Sequence, residues 1–272
     1  MPELPEVETV RLTLLPRLIG AQLKSVAIHR ADIVTGRADA TGLLAGGRIT
    51  ELRRHGKQLA IMTADGRCVC VHLGMTGSLQ WRHGGAAAAK HEHVVWQLDA
   101  GGELVFRDPR RFGGLWTFNN VPSLLSMRWS ELGPDALQVT ARQLYDALQR
   151  TSRAVKAALL DQAVVAGLGN IYVDEVLFRC GVHPETPANR LDAAMCKAVV
   201  QQSQRVLKGA VKAGGSTLRD FVDGHGTEGR FQNSHQVYGR ATLPCVTCRT
   251  SLVAVQVGGR TTVYCPACQI RG

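Results

Sequence analysis

The stretch CVTCRTSLVAVQVGGRTTVYCPAC, residues 245–268, decides how the C-terminal part of the chain folds. Its cysteines form two C-x2-C pairs, Cys245/Cys248 and Cys265/Cys268, separated by sixteen residues. Each pair is a knuckle offering two thiolates. The segment between them reads as strand, turn and strand: LVAVQV, Gly258-Gly259, then RTTVY. Closing that hairpin brings the knuckles together, so the spacing predicts one structural Zn2+ ion in a four-cysteine ribbon. Two redox pairs would need a thioredoxin-like strand-helix context, which a hairpin lacks. Cys68, Cys70, Cys180 and Cys196 have no metal spacing and read as ordinary, partly buried thiols.

Upstream of the ribbon the hydrophobic pattern changes character twice. Val7, Val10 and Leu14 recur at helical spacing, with Pro5 suited to a first helical turn and Glu6 and Glu8 placed to favour it electrostatically. From about 21 to 118 the runs are short and alternating or wholly apolar: AQLKSVAIH, RITELRR, KQLAIMT, RCVCVHL, HVVWQL, ELVFR and LWTF. Glycine-rich punctuation separates them, which predicts an antiparallel sandwich or barrel behind one helix. GGAAAAK, 84–90, reads as a loop. After Pro122 the pattern is helical over roughly 122–128, 140–149, 153–161, 171–180 and 190–212, until Gly214-Gly215 ends it. The segment 214–235 carries several glycines and no sustained period, the mark of a long functional loop.

The 272 residues suffice for two domains with a sizeable core. A 45% apolar and 20% charged composition is globular, and no apolar run approaches a bilayer span. The acidic start MPELPEVETV has no basic n-region, so no secretory or membrane-spanning role is expected. Lys+Arg outnumber Asp+Glu 32 to 22, giving +10, and 25 of the basic residues are arginine, whose planar fork matches phosphate. Residues 240–272 contain Arg240, Arg249, Arg260 and Arg271 and no acid. A nucleic-acid partner is the expectation.

Pro2 carries a chemical possibility of its own. Removing Met1 would leave a terminal secondary amine, and α-amino groups titrate near ~8, far below lysine at ~10.4. Such an amine is a ready Schiff-base nucleophile, and Glu3, Glu6 and Glu8 stand beside it to move protons. Lys57 follows Gly56 between two expected strands and so sits at a hairpin; Arg260 follows the glycine turn of the ribbon. Asn170 precedes the 171–180 helix and is an N-cap candidate whose neighbouring amides could bind phosphate.

The string PELPEVETV resembles the start of the formamidopyrimidine-DNA glycosylases, bacterial enzymes that repair 8-oxoguanine. Further matches run in order along the chain: RRHGK (53–57), HLGMTGSL (72–79), RDPRRFGG (107–114), GLGNIY (167–172), GGSTLRDF (214–221), QVYGR (236–240) and the terminal cysteine pairs. The resemblance implies an α+β chain in four parts. An N-terminal helix and β-sandwich catalytic domain would span 1–120, followed by a linker, 121–135. A helical, helix-two-turn-helix domain at 136–235 would carry a lesion-capping loop, 216–231, and the zinc finger would span 236–272. It implies a bifunctional DNA glycosylase and AP lyase for 8-oxoguanine and formamidopyrimidines, acting through β- and δ-elimination. In that reading Pro2 is the nucleophile, Glu3 the proton-transfer group, and Lys57 and Arg260 the active-site cations on phosphate. His72 and Asn170 would contact phosphates, and Lys156 would lie near the damaged base. Met75, Arg110 and Phe112 would fill the gap left by the extruded nucleotide. The implied partner is double-stranded DNA with oxidised or abasic sites, met by a cytoplasmic, nucleoid-associated monomer with no membrane contact. An endonuclease VIII-like enzyme for oxidised pyrimidines is the nearest alternative, though PELPEVET and RDPRRFGG argue against it. A non-catalytic zinc-ribbon DNA-binding protein would need neither Pro2-Glu3 nor Lys57.

Overall fold

Helix α1 (Leu4–Leu18) begins where the acidic opening of the chain caps it. Glu3 is the N-cap, and its backbone N–H donates to the Glu6 carboxylate at 2.9 Å, the reciprocal half of a capping box. Val7, Val10, Leu14 and Leu18 then fall on one face and are fully buried. This computed structural model describes residues 1–85, 87 and 89–270; Ala86 and Ala88 of the 84–90 loop and Arg271 of the basic tail lie outside them. The chain divides into two compact units, Met1–Glu131 with Ala213–Arg230, and Leu132–Lys212 with the chain from Phe231 onward.

The first unit is the expected sandwich. One sheet has the order β1-β7-β8-β6, from Leu23–Ile28, Glu92–Leu98, Glu103–Arg107 and Ser78–Arg82. The other has the order β2-β9-β5-β4-β3, from Val34–Thr35, Gly114–Phe118, Cys68–His72, Gln58–Thr63 and Ile49–His55. Every pairing is antiparallel except the two-residue β2 beside β9. Leu23, Val94, Trp96 and Phe106 of the first sheet meet Ile49, Leu59, Ile61, Val69 and Leu115 of the second in one core with α1. β4 is buried along its whole length because its outer face is covered too, with Trp129 donating to Gln58 at 3.1 Å. A strand shielded on both faces loses alternation, which explains the unbroken run QLAIMT. β2 and β6 were not among the expected strands. The first is too short to show a period, and SLQWR begins in the last two residues of the glycine-containing motif HLGMTGSL, 72–79.

In the second unit the short helices α3 (Ala141–Leu148) and α5 (Asn170–Arg179) pack on the long α6 (Ala193–Lys212), and α4 (Val155–Leu160) packs on α5. Thr140 and Gln143 form the capping box of α3. The hairpin β10 (Val253–Val257) and β11 (Arg260–Tyr264) lies against α5. Gly258 and Gly259 have φ of 58° and 72°, the left-handed values a two-residue turn of this hand demands. Leu252, Val263, Cys245 and Cys265 share a small core with Phe178 and Val237. The linker contains helix α2 (Val121–Leu124) and a further turn over Leu125–Trp129. Among the described residues, no helix is long and apolar enough to cross a membrane.

The segment 213–230, which the expectation places in the helical part, packs with the first unit. Ser216 N–H donates to Glu6 at 2.7 Å, Gly224 N–H to the Thr13 hydroxyl at 3.0 Å, and Trp81 N–H to the Gly224 carbonyl at 2.8 Å. A methyl group at Gly224 would lie 2.7 Å from Leu14 Cγ and 2.8 Å from Thr13 Oγ1, so Gly224→Ala should release the segment from α1. Amide hydrogen exchange is expected to accelerate over 216–229 and to stay unchanged in α6; equal protection in both proteins would refute this anchoring.

Candidate active site

The first turn of α1 sorts the three acidic candidates. Glu3 is 2% exposed and lies beside buried Pro2, while Met1 remains about half exposed at 48%. Glu6, 1% exposed, holds the Glu3 amide and the Ser216 amide. Glu8 is occupied by Arg11 at 2.6 Å and Arg54 at 2.8 Å. Burial opposes its ionisation, but the two guanidiniums prevail and hold its carboxyl below the usual range. A group so firmly ionised is a poor proton shuttle, which leaves Glu3 next to the proline and Glu6 holding it in place.

Lys57 lies where the sequence put it, in the two-residue turn between β3 and β4, with His55 paired to Gln58. Gly56 has φ 55°, which a turn of this length favours at its first central position. The Lys57 side chain is only 8% exposed. His72 ends β5 opposite Gln58. Burial pushes the His72 imidazole down to about 4, with Arg128 and Lys57 adding to the effect and Asp108 opposing it. At neutral pH it is an uncharged ring that can donate one hydrogen bond.

Met75, Arg110 and Phe112 stand together on two adjoining loops of the same unit. Met75 is 39% and Phe112 56% exposed, and the Arg110 guanidinium lies 4.6 Å from the centre of the Phe112 ring. These are apolar surfaces outside any core, as a wedge requires.

In the second unit two expectations change. Gly169, not Asn170, is the N-cap of α5; Asn170 is the first helical residue and its side-chain amide donates to the Thr261 carbonyl at 2.9 Å. Lys156 is corrected from a DNA-facing residue to a structural one. It has no exposed surface and pairs with Asp174 at 2.6 Å while donating to the same Thr261 carbonyl at 3.2 Å. Asp174 also accepts from Val263 N–H at 3.1 Å. Burial raises the Asp174 carboxyl to about 6 against the pull of Lys156. Three side chains thereby hold β11 at Thr261 and Val263, next to exposed Arg260.

Sequence reading passed over Asp108, Asp174 and Glu175. Glu175 is fully buried and accepts from the amides of Gln236, Val237 and Tyr238 at 2.8, 2.9 and 3.0 Å. A signal existed for two of them: Asp174-Glu175 interrupts an otherwise apolar run, IYVDEVLF, and buried acids must be partnered.

The four ribbon cysteines have Sγ atoms within 4.8 Å of one another. Cys245 and Cys268 are 4.0 Å apart and Cys248 and Cys265 3.4 Å, bracketing the ~3.8 Å edge of a tetrahedron built on Zn–S bonds of ~2.3 Å. The donor set therefore fits zinc. Burial raises the thiols of Cys68, Cys180 and Cys196 to about 11 and that of Cys70 to about 12, so these are inert.

Three family descriptions match the chain in order. Residues 1–115 match the formamidopyrimidine-DNA glycosylase N-terminal domain, 132–222 its H2TH domain, and 243–270 the zinc finger found in FPG and IleRS. The formamidopyrimidine-DNA glycosylase of Bacillus subtilis is 42% identical, covering 100% of both chains. A complex of a mutant Lactococcus lactis FPG with Fapy-dG containing DNA superposes with a TM-score of 0.92 at 33% identity, covering 99% of this chain and 100% of that one. MutM in complex with carbocyclic 8-oxo-G containing DNA gives 0.90 at 32%, with coverage of 99% and 100%.

Lys156→Met should leave Asp174 buried without its cation and cost about 3–5 kcal/mol. Adding Asp174→Asn, which keeps an acceptor for Val263, should recover most of it; urea midpoints that do not recover would refute the pairing. For His72, an unfolded histidine titrates near 6.5 and the folded one at about 4. Between those values only the unfolded chain binds the proton, so stability falls as pH drops through that window. His72→Gln should abolish this contribution, up to about 3 kcal/mol, seen as a smaller difference between urea midpoints at pH 7 and pH 4.

Proposed function

The chain belongs to the formamidopyrimidine-DNA glycosylase family, and from that premise we propose how its residues divide the work of excising an oxidised purine. It is a DNA glycosylase of base-excision repair. The substrates in this reading are 8-oxoguanine and formamidopyrimidines in duplex DNA, and abasic sites. The observation that carries the proposal is the first turn of α1, where buried Glu3 lies next to Pro2 and Glu6 fixes the Glu3 backbone.

Once Met1 is removed, the Pro2 nitrogen attacks C1′ of the damaged nucleotide. The glycosidic bond breaks, and the departing base takes a proton from solvent. Glu3 supplies the proton to the sugar oxygen as the ring opens and takes one back as the Schiff base forms. Elimination of the 3′ and then the 5′ phosphate leaves a one-nucleotide gap. Lys57, neutral His72, Asn170 and Arg260 each hold a phosphate. Met75, Arg110 and Phe112 enter the stack, where the methionine and the ring replace lost stacking and the guanidinium bonds the orphaned base.

The four cysteines hold one structural zinc ion, which cross-links the two knuckles and so stiffens the hairpin bearing Arg260. The proposed working form is a monomer on chromosomal DNA in the cytoplasm.

Borohydride trapping on an 8-oxoguanine duplex tests nucleophile, substrate and class together. The adduct should map to Pro2 in protein lacking Met1, and an adduct on Lys57 would overturn the assignment. Glu3→Gln should reduce base release by roughly 10²–10⁴-fold while keeping measurable cleavage at a pre-formed abasic site, where the sugar already opens to an aldehyde. Equal losses in both reactions would refute the division of labour.

A further inference from the structure

We propose that Asp108, acting through Thr76, is the positioning residue for the wedge of Met75, Arg110 and Phe112; the inference rests on the reading of those three as the gap-filling side chains. Asp108 has no exposed surface and cannot itself meet DNA. Both of its oxygens are committed to the two wedge loops. One accepts from the Thr76 hydroxyl at 2.6 Å and the Arg110 amide at 3.3 Å. The other accepts from the Gly113 amide at 2.7 Å. The Arg110 amide also reaches Thr76 Oγ1, at 3.2 Å. One carboxylate thus holds the backbone just before and just after Phe112 and ties both points to the residue following Met75.

The other side of Met75 is fixed by contact. Gly74 has φ 61°, and a methyl group there would lie 2.3 Å from the Gly113 nitrogen and 2.4 Å from the Phe112 carbonyl carbon. The two backbones therefore run flush, and Met75 is clamped between a glycine pressed on the Phe112 loop and a threonine bonded to Asp108. Asp108 is itself anchored to the sheet: its amide donates to the His91 carbonyl at 3.1 Å, and its carbonyl meets His93 Nε2 at 2.8 Å.

The need for such a device follows from exposure. A wedge must leave the core to enter a base stack, so packing cannot hold it, and a loose wedge would lose in ordering entropy what it gains on insertion. A buried carboxylate with three donors supplies rigidity without occupying the exposed face. Arg110 then waits already stacked on the Phe112 ring.

The decisive variant is Thr76→Val, which keeps the side-chain shape and removes the hydroxyl, with Thr76→Ser as the conservative rescue. Single-turnover excision of 8-oxoguanine opposite cytosine should slow about tenfold or more in Thr76→Val, as expected for losing a hydrogen bond to a charged group, and recover in Thr76→Ser. The loss should shrink on a duplex with no base opposite the lesion, where there is no orphan to hold. With 2-aminopurine opposite the lesion, the fluorescence rise that reports unstacking should be slower in Thr76→Val and in Phe112→Ala. A wild-type rate for Thr76→Val beside a slowed Phe112→Ala would overturn this inference and leave the wedge reading standing. A wild-type rate for Phe112→Ala would overturn the wedge reading and the inference with it. A Thr76→Val loss that is the same with and without the opposing base would mark a merely structural threonine and also overturn it.

Discussion

A buried carboxylate that bonds donors from segments distant in sequence is the interaction on which this structure depends, and Glu6 is its first instance. It ties the cap of α1 to Ser216, 210 residues further on, and so fixes both the residue beside Pro2 and the segment returning from α6. The same device recurs three times. Asp108 joins the loops bearing Met75 and Phe112, Asp174 binds β11 at Val263, and Glu175 gathers the amides of residues 236–238. A carboxylate has about four acceptor sites and the amides it meets are otherwise unsatisfied loop donors. Burying one is costly unless those sites are filled, so once filled the geometry is narrow. Loops too short or too glycine-rich to be ordered by packing acquire a single conformation this way.

The side chains proposed to act sit at chain turns and element ends rather than in the cores. Lys57 is in a hairpin turn, Arg260 follows another, Asn170 opens a helix, and Phe112 stands on a loop. The cores, filled by Leu14, Trp96 and Phe106 in one unit and by Leu177 and Leu207 in the other, supply stiffness to what they present. Zinc extends the principle to a hairpin whose own core is only a few residues deep.

Charge reads differently in three dimensions. A net +10 points to a polyanion, yet Arg30, Arg37 and Arg53 each pair with an acid two residues away on exposed surface. Such pairs contribute little to stability, and they localise charge, so the arginines at loop tips are left to shape what a phosphate meets. Lys156 shows the opposite extreme, a cation wholly withdrawn into an ion pair.

Periodicity determined the α+β class, the N-terminal helix and most strands of the sandwich, because alternation and helical spacing are local consequences of which face is buried. The cysteine spacing determined the metal centre, because four ligands at a fixed bond length leave few arrangements of two knuckles. Linear motifs carried Pro2, Glu3, Lys57 and the Met75, Arg110 and Phe112 group as candidates. The sequence could not give β2, too short to show a period, or the allegiance of 213–230 to the first unit. Nor could it give the fate of Lys156, since a lysine on a short helix looks the same whether it faces solvent or an acid on the next helix. Asp108 was invisible for the same reason: its partners, Thr76 and Gly113, are close only after the strands have paired. Local pattern reports burial and turns, whereas the pairing of a buried charge is a contact between distant segments, and only the tertiary structure decides it.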